Sequence, residues 1–122
     1  MDTSDLKKSI QIYFDACFEG SGDKIAQVFH DSAHIYTHSP EGTLIDTPKA
    51  DFVKRVNSRP ADSPSFPREE EILSIDFLSE KAAAVRIRVR VLNNRFTDLL
   101  SFMLIDGKWV IIAKLFQGVS VE

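Results

Sequence analysis

Apolar residues return every three or four positions at Leu6, Ile10, Tyr13, Phe14 and Cys17, with Ser4 ahead of them and Gly20 behind. This period predicts an amphipathic helix over residues 5–19, capped by Ser4 and stopped where glycine can take a left-handed backbone. Asp23 can cap a short second helix whose apolar side is Ile25, Val28 and Phe29. Ala33 to Thr37 then alternates as a short strand, Pro40-Glu41-Gly42 turns, and Thr43 to Ile45 returns. Thr47-Pro48 reads as a cap followed by proline at the first helical position, with Phe52, Val53 and Val56 as the buried side of a third helix ending near Asn57. Pro60, Pro64 and Pro67 exclude a helix from Asn57 to Pro67, which is expected to run extended.

Beyond this connection the period changes to two, and four strands follow: Glu71–Phe77, Ala82–Leu92, Arg95–Ile105 and Lys108–Phe116. Asn93-Asn94 and Asp106-Gly107 suit tight hairpin turns with positive φ at both central positions. As two-residue loops they set Asp98 opposite Leu115, Leu100 opposite Ala113 and Phe102 opposite Ile111 in the last hairpin. In the one before, Val89 faces Asp98, Ile87 faces Leu100 and Val85 faces Phe102. A three-residue loop at Ser79-Glu80-Lys81 adds Phe77/Ala83, Ile75/Val85, Leu73/Ile87 and Glu71/Val89. All these pairs share one strongly apolar face, whereas a slip of one residue would mix them with the arginines. Arg86, Arg88, Arg90, Leu99, Ser101, Met103, Val110, Ile112, Lys114 and Phe116 fall on the other face. The expected fold is α+β, with three helices covering the apolar face of a four-stranded antiparallel meander around a hollow.

The chain has 122 residues, 43% of them hydrophobic and 27% charged, which suits one globular domain spanning 1–122. Its net charge of −3 argues against nucleic-acid binding carried by bulk positive charge. Acidic residues dominate before position 80 and basic ones after it. Cys17 is the one cysteine, expected to be buried and inert, and no apolar run is long enough for a membrane span; a cytoplasmic location is the expectation. No glycine-rich phosphate loop and no metal-ligand spacing among the histidines are present, so neither a cofactor nor a metal is expected.

The element order, together with Tyr13-Phe14-Asp15, Phe29-His30 before Ala33, Thr47-Pro48-Lys49, Arg95-Phe96-Thr97-Asp98 and Asp106-Gly107-Lys108-Trp109, resembles the nuclear transport factor 2-like superfamily. The stretch from Pro67 to Asp76 and the Lys114-Leu115-Phe116 ending look like the group labelled "putative lumazine-binding". This resemblance covers nearly the whole chain. It implies a cone-shaped, cystatin-like fold with an apolar pocket at one end, and a dimer packed through the outer sheet face. The superfamily holds isomerases, dehydratases, cyclases and proteins without catalysis, so the fold does not choose among them. In the ketosteroid isomerases of this fold a tyrosine on the first helix and two aspartates do the chemistry. Tyr13 and Asp98 resemble two of these; in the stretch after His30, Asp31 falls in the loop and Asp46 in the turn before the third helix, and neither matches the aspartate base.

Asp98 stands out in its own right, because the derived register sets a carboxylate between Val89 and Leu115 with Phe96 and Leu100 nearby. It reads either as a general acid or base tuned by desolvation, or as an acid at the open end, partnered by an arginine or a backbone donor. Glu71 would lie across Val89 from it as a second carboxylate, or belong to a solvated entry with Glu69 and Glu70. His34, Tyr36 and His38 share one side of the early strand, where His34 and Tyr36 would be pocket donors alongside Tyr13, or else pack outward. The catalytic candidates are thus Asp98, Tyr13 and His34. The helices offer Phe14, Phe18, Phe29, Phe52 and Val56 to a pocket, and the connection offers Phe66. The strands add Tyr36, Glu71, Val85, Ile87, Phe96, Leu100, Phe102 and Leu115, a ring-rich set suited to a small hydrophobic or aromatic molecule. The expected function is small-molecule binding, with cofactor-free acid–base catalysis on Asp98 as the alternative. The outer face, with Arg86, Arg88, Arg90, Met103, Val110, Ile112, Lys114 and Phe116, is the expected homodimer surface.

Overall fold

A computed structural model describes residues 2–59 and 65–121 of the chain. Pro60 and Pro64 of the expected extended connection lie outside the described residues. Helix α1 spans Ser4–Glu19 and buries Leu6, Ile10, Tyr13, Phe14, Ala16 and Cys17. It ends at Gly20, whose φ of 67° gives the left-handed turn that a side chain resists. Helix α2, Gly22–Val28, is capped by Ser21, which accepts from the Lys24 N–H at 3.2 Å, and not by the expected Asp23. Strand β1 runs Phe29–His38 and β2 runs Leu44–Pro48, so Thr47 and Pro48 finish a strand before α3, Lys49–Asn57. Strands β3 (Glu70–Ser79), β4 (Ala82–Val91), β5 (Asn94–Ile105) and β6 (Lys108–Ser120) complete the fold.

The architecture is α+β, three helices packed on one mixed sheet. Its six strands are ordered β2-β1-β6-β5-β4-β3, and β1 lies parallel to β6 while every other pair is antiparallel. The expected four-stranded meander is therefore extended, because β1 adds along the free edge of β6 and brings β2 with it. The helices pack on one another and against β1, β4 and β6. Between the layers Tyr13, Phe29, Phe102, Leu100, Ile87 and Ile111 are essentially without solvent exposure. Each contributes on the order of 1.5–3 kcal/mol by leaving water. Among the described residues no helix is long and apolar enough to cross a membrane.

Three register details differ from expectation. The β4–β5 turn sits at Leu92-Asn93, with Leu92 at φ 52°, so Val89 faces Phe96 and Ile87 faces Asp98. Leu92 packs against the core, which offsets its left-handed backbone. This shift of two preserves which side chains point inward. The other two are shifts of one. Between Ser101/Ala113 and Phe102/Ile111 the residue Ile112 is extra, so Leu100 faces Lys114 and Asp98 faces Phe116. Lys114 and Phe116 accordingly lie on the inner face and leave the expected outer set, while Leu115 points outward with 54% exposure. In β3 an irregularity between Ile72/Ile87 and Ser74/Arg86 turns Glu71 to the outer face, opposite Arg88. Its carboxylate lies 3.6 Å from that guanidinium, so no Glu71–Asp98 pair forms.

Candidate functional site

Four elements bring a small set of polar groups to one apolar cavity. On α1, Tyr13 and Cys17 are one turn apart and share the buried stripe. Helix α3 and the residues after it present Phe52, Arg55 and Arg59, again at spacings that share a face. From the sheet come Val89 and Val91 of β4, Phe96 and Asp98 of β5, and Lys114 and Phe116 of β6. The cavity these residues enclose measures about 110 Å³. Arg55 is the exposed member of the lining and marks the side where the cavity meets solvent.

Asp98 is fully buried, and Lys114 is 6% exposed. The Tyr13 hydroxyl donates to Asp98 Oδ2, and Lys114 Nζ stands 3.6 Å from the same oxygen. The ammonium is also ringed by aromatic faces, at 4.7 Å from Phe52, 4.8 Å from Phe116 and 5.3 Å from Tyr13. A cation removed from water is stabilised there by one carboxylate and by the negative faces of three rings. The other carboxylate oxygen, Asp98 Oδ1, is buried and has no hydrogen-bond partner among the described residues; the same holds for Arg59 Nη1. Burial, and after it the Asp98 charge, pushes the Tyr13 hydroxyl well above the ordinary tyrosine range. Burial also raises the Cys17 thiol, against an opposing pull from Lys114, which leaves it a poor nucleophile.

The expected site residues separate into groups. Tyr13, Phe52, Phe96 and Asp98 line the cavity together. Phe14, Phe29, Val56, Val85, Ile87, Leu100 and Phe102 are buried in the core and do not line it. Phe18 and Phe66 border a separate, much smaller recess beside Leu92, where Arg68 covers Phe18 at 4.7 Å and Arg90 covers Phe66 at 5.7 Å. His34 and Tyr36 are on the outer side of β1, because Ala33 and Ile35 take the inward positions of the alternation. There His34 bonds Asp46 and stacks on Tyr36 with ring centroids 6.0 Å apart. Leu115 and Glu71 face outward, as the two irregularities require. Lys114, Phe116, Arg55 and Arg59 are the lining residues that sequence patterning missed. The run from Trp109 to Ala113 is apolar throughout and so carries no parity signal; Arg59 has no signature beyond its place one turn after Arg55.

A family profile described as "Putative lumazine-binding" matches residues 1–117. Comparison with curated proteins gives no match. Among solved structures, an NTF2-like protein of unknown function from Shewanella baltica OS155 superposes with a TM-score of 0.85 at 20% identity, covering 95% of this chain and 92% of that one. An NTF2-like protein of unknown function from Methylobacillus flagellatus KT gives 0.84 at 24% identity, with 98% and 93% covered. A ketosteroid isomerase-like protein from Erwinia carotovora atroseptica SCRI1043 gives 0.73 at 14% identity, with 96% and 95% covered. At these identities the likeness is one of fold.

Proposed function

The chain belongs to the "Putative lumazine-binding" family, and from that premise we propose that it binds a small planar molecule in the cavity, with a hydrogen-bond donor of the ligand on Asp98. The observation that carries this reading is Asp98 Oδ1, a buried carboxylate oxygen on the cavity wall without a partner among the described residues. Such an atom costs about 1–3 kcal/mol or more while unsatisfied, and a ligand N–H or O–H recovers that cost on binding. Phe52, Phe96 and Phe116 line the cavity with aromatic rings suited to a flat molecule. A dry cavity of about 150 Å³ takes benzene, so about 110 Å³ suits part of one ring, with the remainder of the ligand at the mouth. A two-ring molecule such as lumazine would leave its second ring at the mouth beside Arg55.

The enzyme reading uses the same oxygen as a base. Binding is favoured over it because the Tyr13 hydroxyl, the donor an enolising site would aim at the substrate, is spent on Asp98. The test is calorimetric titration with lumazine and with single-ring lactams and phenols. One-to-one binding, weakened about tenfold or more by Asp98→Asn, is expected. No binding by any of these probes, or equal binding by the variant, overturns the proposal. Deuterium exchange into a bound probe, present in the wild type and lost in Asp98→Asn, would replace binding by proton transfer as the function.

We also infer a homodimer through the outer sheet face. Leu115 and Met103, at 54% and 39% exposure, form an apolar strip with Leu99 beside Arg86 and Arg88, while Glu71 and Asp76 supply opposite charges on the same face. A cytoplasmic, reducing setting suits the unpaired buried Cys17.

A further inference from the structure

We propose that the ligand of this cavity is an anion: one planar ring with a carboxylate or similarly acidic group at one end and an O–H or N–H at the other. The inference rests on reading the cavity as a ligand site and adds the charge of what enters it. Although the chain as a whole carries a net charge of −3, the cavity wall holds Arg55, Arg59 and Lys114 against Asp98 alone. Asp98 is matched to Lys114 at 3.6 Å, so among the described residues no carboxylate balances the two arginines.

Outside the cavity four of the other five arginines stand beside carboxylates, and Arg86, on the outer sheet face, has no such partner among the described residues. Arg68 bonds Asp15 and Glu70, Arg90 and Arg95 share Glu69, and Arg88 stands beside Glu71. At the cavity, Arg55 reaches only the Thr47 hydroxyl among the described residues, at 3.3 Å. Arg59 Nη1 is buried without an acceptor among the described residues. A guanidinium presents parallel N–H groups that match the two oxygens of a carboxylate, and the attraction grows where water is excluded. An acidic group placed between Arg59 and Arg55 would supply the missing acceptor and balance their charge. On the same wall, Asp98 Oδ1 repels an anion and needs a donor. The cavity wall thus asks for two opposite things, an acceptor for Arg59 and a donor for Asp98. A molecule with an acid at one end of a ring and a hydroxyl or N–H at the other satisfies both, with its ring against Phe52, Phe96 and Phe116.

The test compares three probes by calorimetry on the full chain: para-hydroxybenzoate, the neutral para-hydroxybenzamide, and benzoate, which lacks the donor. The hydroxy acid is expected to bind about tenfold to a hundredfold more tightly than the amide, and more tightly than benzoate. Arg59→Gln should weaken the acid about tenfold more than it weakens the amide, closing the gap between them. Equal binding of acid and amide by the wild type overturns the anion inference yet leaves small-molecule binding intact. Arg59→Gln weakening both probes alike would overturn it in the same way. Failure of all three probes together with lumazine would instead remove the underlying reading. The acid–amide comparison needs no variant, so it is decisive even if Arg59→Gln does not fold.

Discussion

Replacing Asp98 by Asn and Lys114 by Met, singly and together, tests whether the buried pair acts as one unit. At 3.6 Å and an effective dielectric of about 20, opposite unit charges attract by about 4–5 kcal/mol. Most of that attraction is cancelled by the cost of taking both groups out of water, so the pair as a whole is close to neutral for stability. Either single change leaves a lone charge in the interior and should cost about 3–5 kcal/mol. Asp98→Asn keeps an oxygen that can accept from Tyr13, and Lys114→Met keeps the length of the side chain among the three rings. If the costs simply added, the double variant would lose about 6–10 kcal/mol, comparable to the whole stability expected for a chain of this length. Because the second change removes the charge stranded by the first, the double variant should instead fall short of that sum by about 3 kcal/mol or more. Urea unfolding followed by fluorescence of Trp109, the single tryptophan, which is 9% exposed, reads all four proteins. A double variant whose loss equals the sum of the singles within about 0.5 kcal/mol would refute the coupled pair.

Three further outcomes follow. Tyr13 should keep its proton until the fold opens. Since its folded pKa is raised, the stability it contributes is complete below the ordinary value of 10.0 and is lost as pH rises beyond it. Ultraviolet titration should therefore show this phenol ionising together with loss of the Trp109 signal, and a Tyr13 step in the intact fold would contradict that. Gly118 lies opposite Phe96, and a Cβ there would sit 2.4 Å from the ring. Gly118→Ala should push that ring toward Phe116 and the cavity, costing about 1–3 kcal/mol and weakening probe binding; unchanged affinity would show that Phe96 yields in another direction. Leu115→Glu on the outer face should turn a dimeric sedimentation profile into a monomeric one with little change in unfolding; a wild-type chain that already sediments as a monomer ends the dimer inference.

Local patterning carried far in this chain. The stripe from Leu6 to Cys17 determined α1 and put Tyr13 inside it, because a buried helix face needs apolar residues at helical spacing whatever it packs on. Asp106-Gly107, at φ 51° and 77°, determined the last hairpin. The alternation along β4 and β5 determined that Asp98 looks inward, a result that survived the displaced turn at Leu92-Asn93 because a shift of two keeps parity. Tertiary structure decided what surrounds that acid. One extra residue at Ile112, in a run with apolar side chains on both sides, reversed every position after it and turned Lys114 and Phe116 inward. Another irregularity in β3 sent Glu71 out. The parallel pairing of β1 with β6 spent His34 and Tyr36 on the outer surface, and the end of α3 set Arg59 at the cavity wall. Side-chain periodicity is a property of each segment, and so can be read from its residues. Where that period is interrupted depends on contacts between segments distant in the chain, which only the folded molecule brings together.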